Sequence, residues 1–428
     1  MNFERLRELV LERAIRGELV PQNCDEDCVK EGTSENVPFN VPASWGWVQL
    51  ADLSVKRKTV DPMTLDEPSV ELWSIPAYDS GAAQEICPKD IGSSKKIVLE
   101  GDVLLSKIVP HIKRAWVVTE SGRNLPKLAS TEWLVYGSGR LIPEFLALQF
   151  RSPYFRKKML ENISGMGSLK RANPSSLAKV FLPVPPLLEQ VRIVEKIKEA
   201  FAEIDRAEKA YEELQTLAGV LRGQILQEAI QGKLVPQLAE EGVVEQIGVA
   251  PDERPFEIPK SWKWRALDEI FKFVDYRGKT PTKTTDGVRL ITASNVRQGY
   301  VDHKRIEFIS SEEYIDRQNR GISKKGDILF TTEAPLGNVA LADLDVYSAG
   351  QRVITLQTDS ENKKLLMYFM LSPYFQKALK NNATGTTAQG IKAARLKKLM
   401  LPVPPVEEQA RIASKVEELL KQVDALSA

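Results

Sequence analysis

Residues Leu182 to Ile193 read "LPVPPLLEQVRI", and residues Leu401 to Ile412 read "LPVPPVEEQARI", 219 positions later. Pro183, Pro185 and Pro186 fix φ and remove backbone donors, so the phrase is extended and is expected to lie inside neither a sheet nor a helix. A helix follows directly. Pro186 stands where a first-turn proline is tolerated, and Glu189 places a carboxylate near the positive end of the helix dipole. From Val191 onward apolar residues recur at helical spacing. The phrase is a stiff lead-in to a helix, used twice.

Other landmarks recur in the same order, as an internal duplication requires. "LRELVLERAIRGELVPQ" (Leu6 to Gln22) matches "LRGQILQEAIQGKLVPQ" (Leu221 to Gln237) at 10 of 17 positions, offset 215. "VPASWGWVQL" (Val41 to Leu50) pairs with "IPKSWKWRAL" (Ile258 to Leu267), and "SPYF" occurs at Ser152 to Phe155 and at Ser372 to Phe375. A Gly-Asp pair before an apolar run appears as Gly101-Asp102 and Gly326-Asp327. The chain is therefore a tandem duplication of a unit of about half its length.

From Leu187 to about Ile230 the apolar residues fall mostly three or four apart, and Ile197, Ile204, Tyr211, Ala218 and Ile225 form a strict heptad series. A helix of this length, roughly 66 Å at 1.5 Å per residue, is not stable alone and needs a partner helix. Only Val406 to Ala428 follows the second phrase, whereas Leu6 to Arg16 at the start of the chain aligns with the end of the first long helix. The duplication is thus expected to be circular, with residues 406–428 and 1 to about 16 rebuilding the second long helix beside the first.

Between these helices lie two lobes, each beginning with a Trp-x-Trp pair (Trp45 and Trp47; Trp262 and Trp264) that reads as a core anchor. Short runs rich in Val, Ile and Leu, such as "KIVLEGDVLLSKIV" and "KKGDILFTTEAPLGNVAL", read as strands separated by Gly and Asp turns. A helical stretch follows in each lobe, around "IPEFLALQFRSPYFRKKML" and "KKLLMYFMLSPYFQKAL". The fold class is α+β: two globular domains separated by a long antiparallel coiled-coil helix pair, related by a pseudo-two-fold circular repeat. The expected divisions are 1–40 (amino-terminal helix and linker), 41–186 (first lobe), 187–237 (first long helix), 238–254 (linker), 255–405 (second lobe) and 406–428 (carboxyl-terminal helix).

A chain of 428 residues, 43% apolar and 27% charged, can bury several cores. It has no run of eighteen apolar residues and begins with the charged stretch "MNFERLREL", so cytoplasm is expected and a membrane is not. The net charge of +1 hides an uneven distribution. Residues 41–186 carry 19 Lys and Arg against 14 Asp and Glu, residues 255–405 carry 24 against 16, and the remainder sums to −12. Two basic lobes on acidic connectors suit a polyanionic partner.

Signs of catalysis fail one by one. "GISKKGD" (Gly321 to Asp327) ends in Asp where a P-loop needs Lys and Ser or Thr, and "GMGSLK" (Gly165 to Lys170) lacks the third glycine of a dinucleotide fingerprint. There is no Asn/Asp-Pro-Pro-Tyr/Phe tetrapeptide of the kind adenine methyltransferases use on a flipped base. Cys24, Cys28 and Cys87 with His111 and His303 do not have metal-site spacing, and two histidines supply little acid–base chemistry. Neither a metal nor a cofactor is expected in this chain.

The doubled "LPVPP(L/V)xEQxRI", the Trp-x-Trp lobe start, the Gly-Asp-(V/I)-L element and the circular repeat together resemble the DNA-specificity subunit of type I restriction-modification enzymes, over nearly the whole chain. The resemblance implies two target-recognition domains, each reading one half of a split site in double-stranded DNA, held apart by spacer helices. It implies two methyltransferase (modification) subunits as partners, restriction or translocase subunits beside them, and S-adenosylmethionine and ATP/Mg sites on those partners. The chain itself would be non-catalytic.

Glycine-bounded polar loops after strand-like runs are where DNA contacts are expected. In the first lobe these are Lys107, His111, Lys113 and Arg114, with Ser168, Lys170 and Arg171. In the second they are Thr331, Thr332, Glu333 and Asn338, with Thr292, Asn295, Arg297, Thr386, Thr387, Gln389 and Lys392. The two sets differ, so an asymmetric DNA site is expected. The alternatives are a self-sufficient DNA-modifying enzyme, which would modify DNA unaided, and a non-nucleic two-lobed scaffold on a coiled coil, which would not bind DNA.

Overall fold

The computed structural model describes residues 2–427 apart from 24, 25, 27, 30–36, 109–111, 121, 138, 165–170, 245–254, 277–279 and 386–388. The chain divides into two compact units, Met1–Ala210 and Tyr211–Ala428. The division falls inside the central helix Leu187–Ile230, which runs unbroken for 44 residues as the apolar period predicts. Of the heptad series, Ile197, Ala218 and Ile225 are buried, and Ile204 and Tyr211 are half-buried.

Within the first unit the amino-terminal helix Phe3–Ile15 lies antiparallel to the central helix. Leu11 and Ala14 share a core with Ile193, Val194 and Ile197, and Arg7 pairs with Asp205 and Glu208. Within the second unit the carboxyl-terminal helix Val406–Ser427 does the same. Ile412, Val416 and Val423 pack in one core with Ala218, Ile225 and Ile230, and Gln215 donates to the Ser427 carbonyl.

The proline phrase departs from expectation. Phe181–Val184 pairs antiparallel with Gly46–Gln49, placing Trp47 opposite Pro183, and Met400–Val403 pairs with Lys263–Ala266, placing Trp264 opposite Pro402. Among the described residues each ribbon has two strands, so a proline can turn its donorless nitrogen away from its neighbour.

The Glu-Gln pair after the prolines fastens lobe to helix. Glu189 accepts from Trp45 Nε1 at 2.9 Å and from Gln22 Nε2 at 2.6 Å, and Glu408 accepts from Trp262 Nε1 at 2.8 Å and Gln237 Nε2 at 2.6 Å. Gln190 donates to the Pro185 carbonyl and accepts from the Ile142 N–H, while Gln409 donates to the Pro404 carbonyl and accepts from the Asn362 N–H. Trp45, Trp47, Trp262 and Trp264 are all buried.

Two of the duplicated landmarks are local devices. In each SPYF the serine caps a helix through the phenylalanine N–H, proline occupies the first turn, and the phenylalanine is buried: Ser152 and Phe155 before Pro153–Glu161, Ser372 and Phe375 before Pro373–Asn381. In each Gly-Asp pair the glycine takes positive φ, and the buried aspartate accepts the N–H three residues back and pairs with a distant cation, Arg57 for Asp102 and Lys363 for Asp327.

Besides two-stranded ribbons, the described residues of each lobe form two larger sheets. In the first, Thr59–Val60, Lys95–Ile97, Lys127–Ser130, Val70–Trp73 and Gln84–Ile86 form one, and Ala115–Val117, Val103–Ser106 and Trp133–Tyr136 form the other. In the second lobe the orders are Lys283–Thr284, Phe308–Ile309, Val288–Ile291, Ser348–Ala349 and Lys272–Asp275, Val353–Gln357, Ile328–Thr331, Val339–Leu341. Both lobes share one parallel pair, Trp73 opposite Ala129 and Ile291 opposite Ala349, amid antiparallel neighbours. The chain leaves that pair through a two-residue turn, and this turn positions the candidate site.

Candidate nucleic-acid interface

In the first lobe the turn is Thr131-Glu132, directly before the strand Trp133–Tyr136. The Lys107 N–H donates to the Glu132 carbonyl at 3.1 Å, and the Ala172 N–H donates to the Lys107 carbonyl at 2.8 Å. Ile108 and Arg171 form a β-bridge, so the segments around Lys107 and Arg171, 64 positions apart, lie side by side. Their side chains converge on Glu132: Arg171 Nη2 is 3.2 Å from Oε1 and Lys107 Nζ 3.8 Å from Oε2. Lys96 adds a further cation. Its ammonium donates to the Trp133 carbonyl at 2.7 Å, and burial first, then the neighbouring Lys107 charge, push it below the usual lysine range.

Other residues expected in this interface are held elsewhere. Lys113 pairs with Glu4 and Glu8 at 2.8 and 2.9 Å, which fastens its loop to the amino-terminal helix. Arg114 is nearly buried and makes a two-pronged pair with Asp79, both bonds at 2.9 Å. His111, Ser168 and Lys170 lie outside the described residues.

The second lobe repeats the backbone frame. The Thr332 N–H donates to the Arg352 carbonyl at 2.9 Å, the Ile391 N–H donates to the Thr332 carbonyl at 3.0 Å, and Glu333 bridges Gly390. Here the turn is Gln351-Arg352, and Arg352 Nε lies 2.8 Å from Glu333 Oε1. Gln389 and Lys392 are exposed beside it.

Several of the expected polar residues instead lock these loops. Thr331 and Thr332 are buried, and the Thr331 hydroxyl accepts the Asn338 N–H. Asn338 donates to the Val296 carbonyl. Asn295 is fully buried, donates to the Asp302 and Arg305 carbonyls and accepts from the Thr292 N–H and hydroxyl. Arg297 is partly exposed, 3.7 Å from Asp302, and Thr386 and Thr387 lie outside the described residues.

A cleft of about 340 Å³ opens beside the turn, lined among others by Thr280, Lys283, Thr292, Arg305, Gln351 and Arg352. Burial alone would raise the Glu307 carboxyl in its wall, yet Lys283 and Arg305 together hold it below the usual carboxylate range, so the wall stays ionised. Sequence reasoning missed Glu132, Gln351, Arg352, Lys283 and Arg305. The 220-residue offset of SPYF, applied to Glu132, arrives at Arg352 and was the available signal.

Among the described residues no group of His, Cys, Asp and Glu is placed to hold a metal ion, and no helix is long and apolar enough to cross a membrane. The family profile described as type I restriction modification DNA specificity domain matches residues 259–427, from the second Trp-x-Trp to the end of the carboxyl-terminal helix. The EcoAI specificity subunit of Escherichia coli is 24% identical over 99% of this chain and 90% of its own length. The MjaVIII specificity subunit of Methanocaldococcus jannaschii is 25% identical over 93% of this chain and 90% of its own. Over nearly its whole length the chain is thus similar to type I restriction enzyme specificity subunits, and residues 259–427 match their DNA specificity domain. Its fold agrees: the HsdS subunit from Thermoanaerobacter tengcongensis superposes with a TM-score of 0.58, at 22% identity, over 91% of this chain and 92% of that one. A chain from a study of type I restriction-modification complex assembly and conformational transition gives 0.65, also at 22% identity, over 91% and 93%. The profile covers the second lobe and the helix after it, and the internal duplication carries the likeness to the first.

Proposed function

We propose that this specificity subunit reads a split, asymmetric sequence in double-stranded DNA, one half per lobe, and directs partner subunits that act on it. The observation that carries the reading is the backbone frame around Glu132 and Arg352, built identically in both lobes and furnished with different side chains. One scaffold with two side-chain sets suits recognition of two different half-sites. Phosphate contacts would come from the cations around each frame, half-buried Lys107 and exposed Arg171 in one lobe and exposed Lys392 in the other.

Covalent chemistry is assigned to the partners: adenine methylation with S-adenosylmethionine on modification subunits, and ATP/Mg-driven restriction or translocation where such a subunit joins. The cytoplasm, where those substrates are, is the proposed compartment. Two modification subunits per chain are proposed because repeat-equivalent grooves lie on the two units. One is lined by Glu8, Pro153, Arg156 and Leu160, the other by Val220, Gly223, Gln227 and Pro373, and Pro153 and Pro373 are the same residue of SPYF.

The test is methylation by the chain with its modification partner, mapped base by base, before and after residues 41–186 are exchanged for another family member's first lobe. A bipartite motif in which one half changes is expected. A continuous motif, or a change in both halves, would overturn independent reading by the lobes. DNA binding should tighten when the partner is added and weaken steeply with salt.

A further inference from the structure

The repeat places Glu132 and Arg352 at one structural position with opposite charge. Each ends the turn that leaves the lobe's parallel strand pair, and each gives its carbonyl to the N–H of an equivalent residue, Lys107 or Thr332. Each also stands beside an equivalent β-bridge, Ile108 with Arg171 or Glu333 with Gly390. The surroundings invert with the charge. Two cations, Lys107 and Arg171, attend the carboxylate, whereas a carboxylate, Glu333, attends the guanidinium.

We infer that Glu132 and Arg352 are the base-reading residues of the two lobes, Glu132 accepting from the exocyclic amino group of a cytosine and Arg352 donating to O6 and N7 of a guanine. The inference rests on the proposed reading of DNA and specifies it. Ionised glutamate is an acceptor only, and in the major groove the cytosine N4 amino group is the donor that it suits. The Glu132 side chain is 29% exposed, and Oε2 has no hydrogen-bond partner among the described residues, with Lys107 Nζ at 3.8 Å; Oε2 is shielded in the free chain, so the side chain must turn to meet the base. Lys107 and Arg171 then serve twice, holding the carboxylate in place and offering donors to flanking phosphates.

Arg352 is half exposed, and its pair with Glu333 is made through Nε. Arg352 lines the cleft with Gln351, and its terminal nitrogens form the fork of a guanidinium. Such a fork matches guanine O6 and N7, which a lysine ammonium cannot span. Glu333 thereby becomes a positioning residue, and Thr331, Asn338 and Asn295 hold the loops that present it.

The full chain is assayed with its methyltransferase partner on a library of sites, as wild type and as Glu132→Gln, Arg352→Gln and Arg352→Lys. Glu132→Gln is expected to lose discrimination at one cytosine of the first lobe's half, by roughly tenfold or more, with every other position kept. Arg352→Gln and Arg352→Lys should each relax one guanine of the other half by a similar factor, and the untouched half certifies that the chain is folded and assembled. An unchanged motif overturns the inference, as does a uniform loss at all sequences, which marks a phosphate contact or a structural role. Relaxation at a base other than cytosine for Glu132, or guanine for Arg352, overturns the assignment of that residue. If the wild type itself yields no bipartite motif, the proposed function fails instead.

Discussion

Replacing Glu189 by alanine tests how the lobe is held to the central helix. Glu189 is 1% exposed and accepts two hydrogen bonds, one from the buried Trp45 indole and one from Gln22, which is exposed. Truncation returns Gln22 to water at little cost but strands the indole N–H. A hydrogen bond to a charged acceptor contributes about 1.5–3 kcal/mol, and an unsatisfied buried donor costs about 1–3 kcal/mol. Those two figures describe the same loss. Against it stands the relief of a desolvated carboxylate: burial, outweighing the bonds from Trp45 and Gln22, raises the Glu189 pKa above its ordinary value. The net destabilisation expected at neutral pH is about 1–2 kcal/mol. A carboxyl with a raised folded-state pKa contributes stability that is full below its unfolded value and is lost as pH rises through the folded value. The Glu189→Ala penalty should therefore grow as pH falls through that raised value toward the ordinary carboxylate range. Glu408, with the same partners in Trp262 and Gln237 and the same direction of shift, should behave alike. Hydrogen exchange resolved by segment, over a pH series, assigns the loss: residues around Trp45 for Glu189→Ala and around Trp262 for Glu408→Ala. Glu189→Gln keeps one acceptor for the indole and should recover much of the loss. A penalty below about 0.5 kcal/mol at every pH, or one that shrinks on acidification, would refute the clamp.

Gly17 and Gly232 end the duplicated helices at φ +75° and +69°, where an added Cβ would stand 2.4 Å from Pro42 Cγ and 2.5 Å from Pro259 Cγ respectively. Gly17→Ala or Gly232→Ala should cost about 2–4 kcal/mol from left-handed backbone strain plus overpacking, read as a drop in the denaturant midpoint. Removing a helix cap through Ser152→Ala or Ser372→Ala should cost about 1 kcal/mol each, and the double variant the sum, in the same assay.

Much of the architecture was legible in the sequence because its causes are local or periodic. The central helix follows from apolar spacing over Leu187 to Ile230, and its start from proline and glutamate in a fixed order. The duplication was visible because both copies need the same caps, turns and anchors: serine before SPYF's helix, glycine with positive φ before aspartate, and tryptophan where Glu189 or Glu408 needs a donor. The proline phrase was misjudged as incompatible with a sheet. Whether a strand has one neighbour or two is set by the rest of the chain, and among the described residues it has one.

The candidate site was legible as segments but not as partners. Lys107, Lys113, Arg114 and Arg171 look alike in sequence, all basic and all in loops. Tertiary structure gives Lys113 to Glu4 and Glu8, gives Arg114 to Asp79, and gathers Lys107 and Arg171 around Glu132. In the second lobe it buries Thr331, Thr332 and Asn295 and brings forward Arg352. Helical period, capping and repeat are properties of neighbours along the chain, so the sequence by itself determined the long helix, the internal duplication and the likeness to specificity subunits. Ion pairing depends on distance in space between groups tens to a hundred residues apart, and on how much water each keeps, so only the folded lobe decided which charges are spent on structure and which face the cleft.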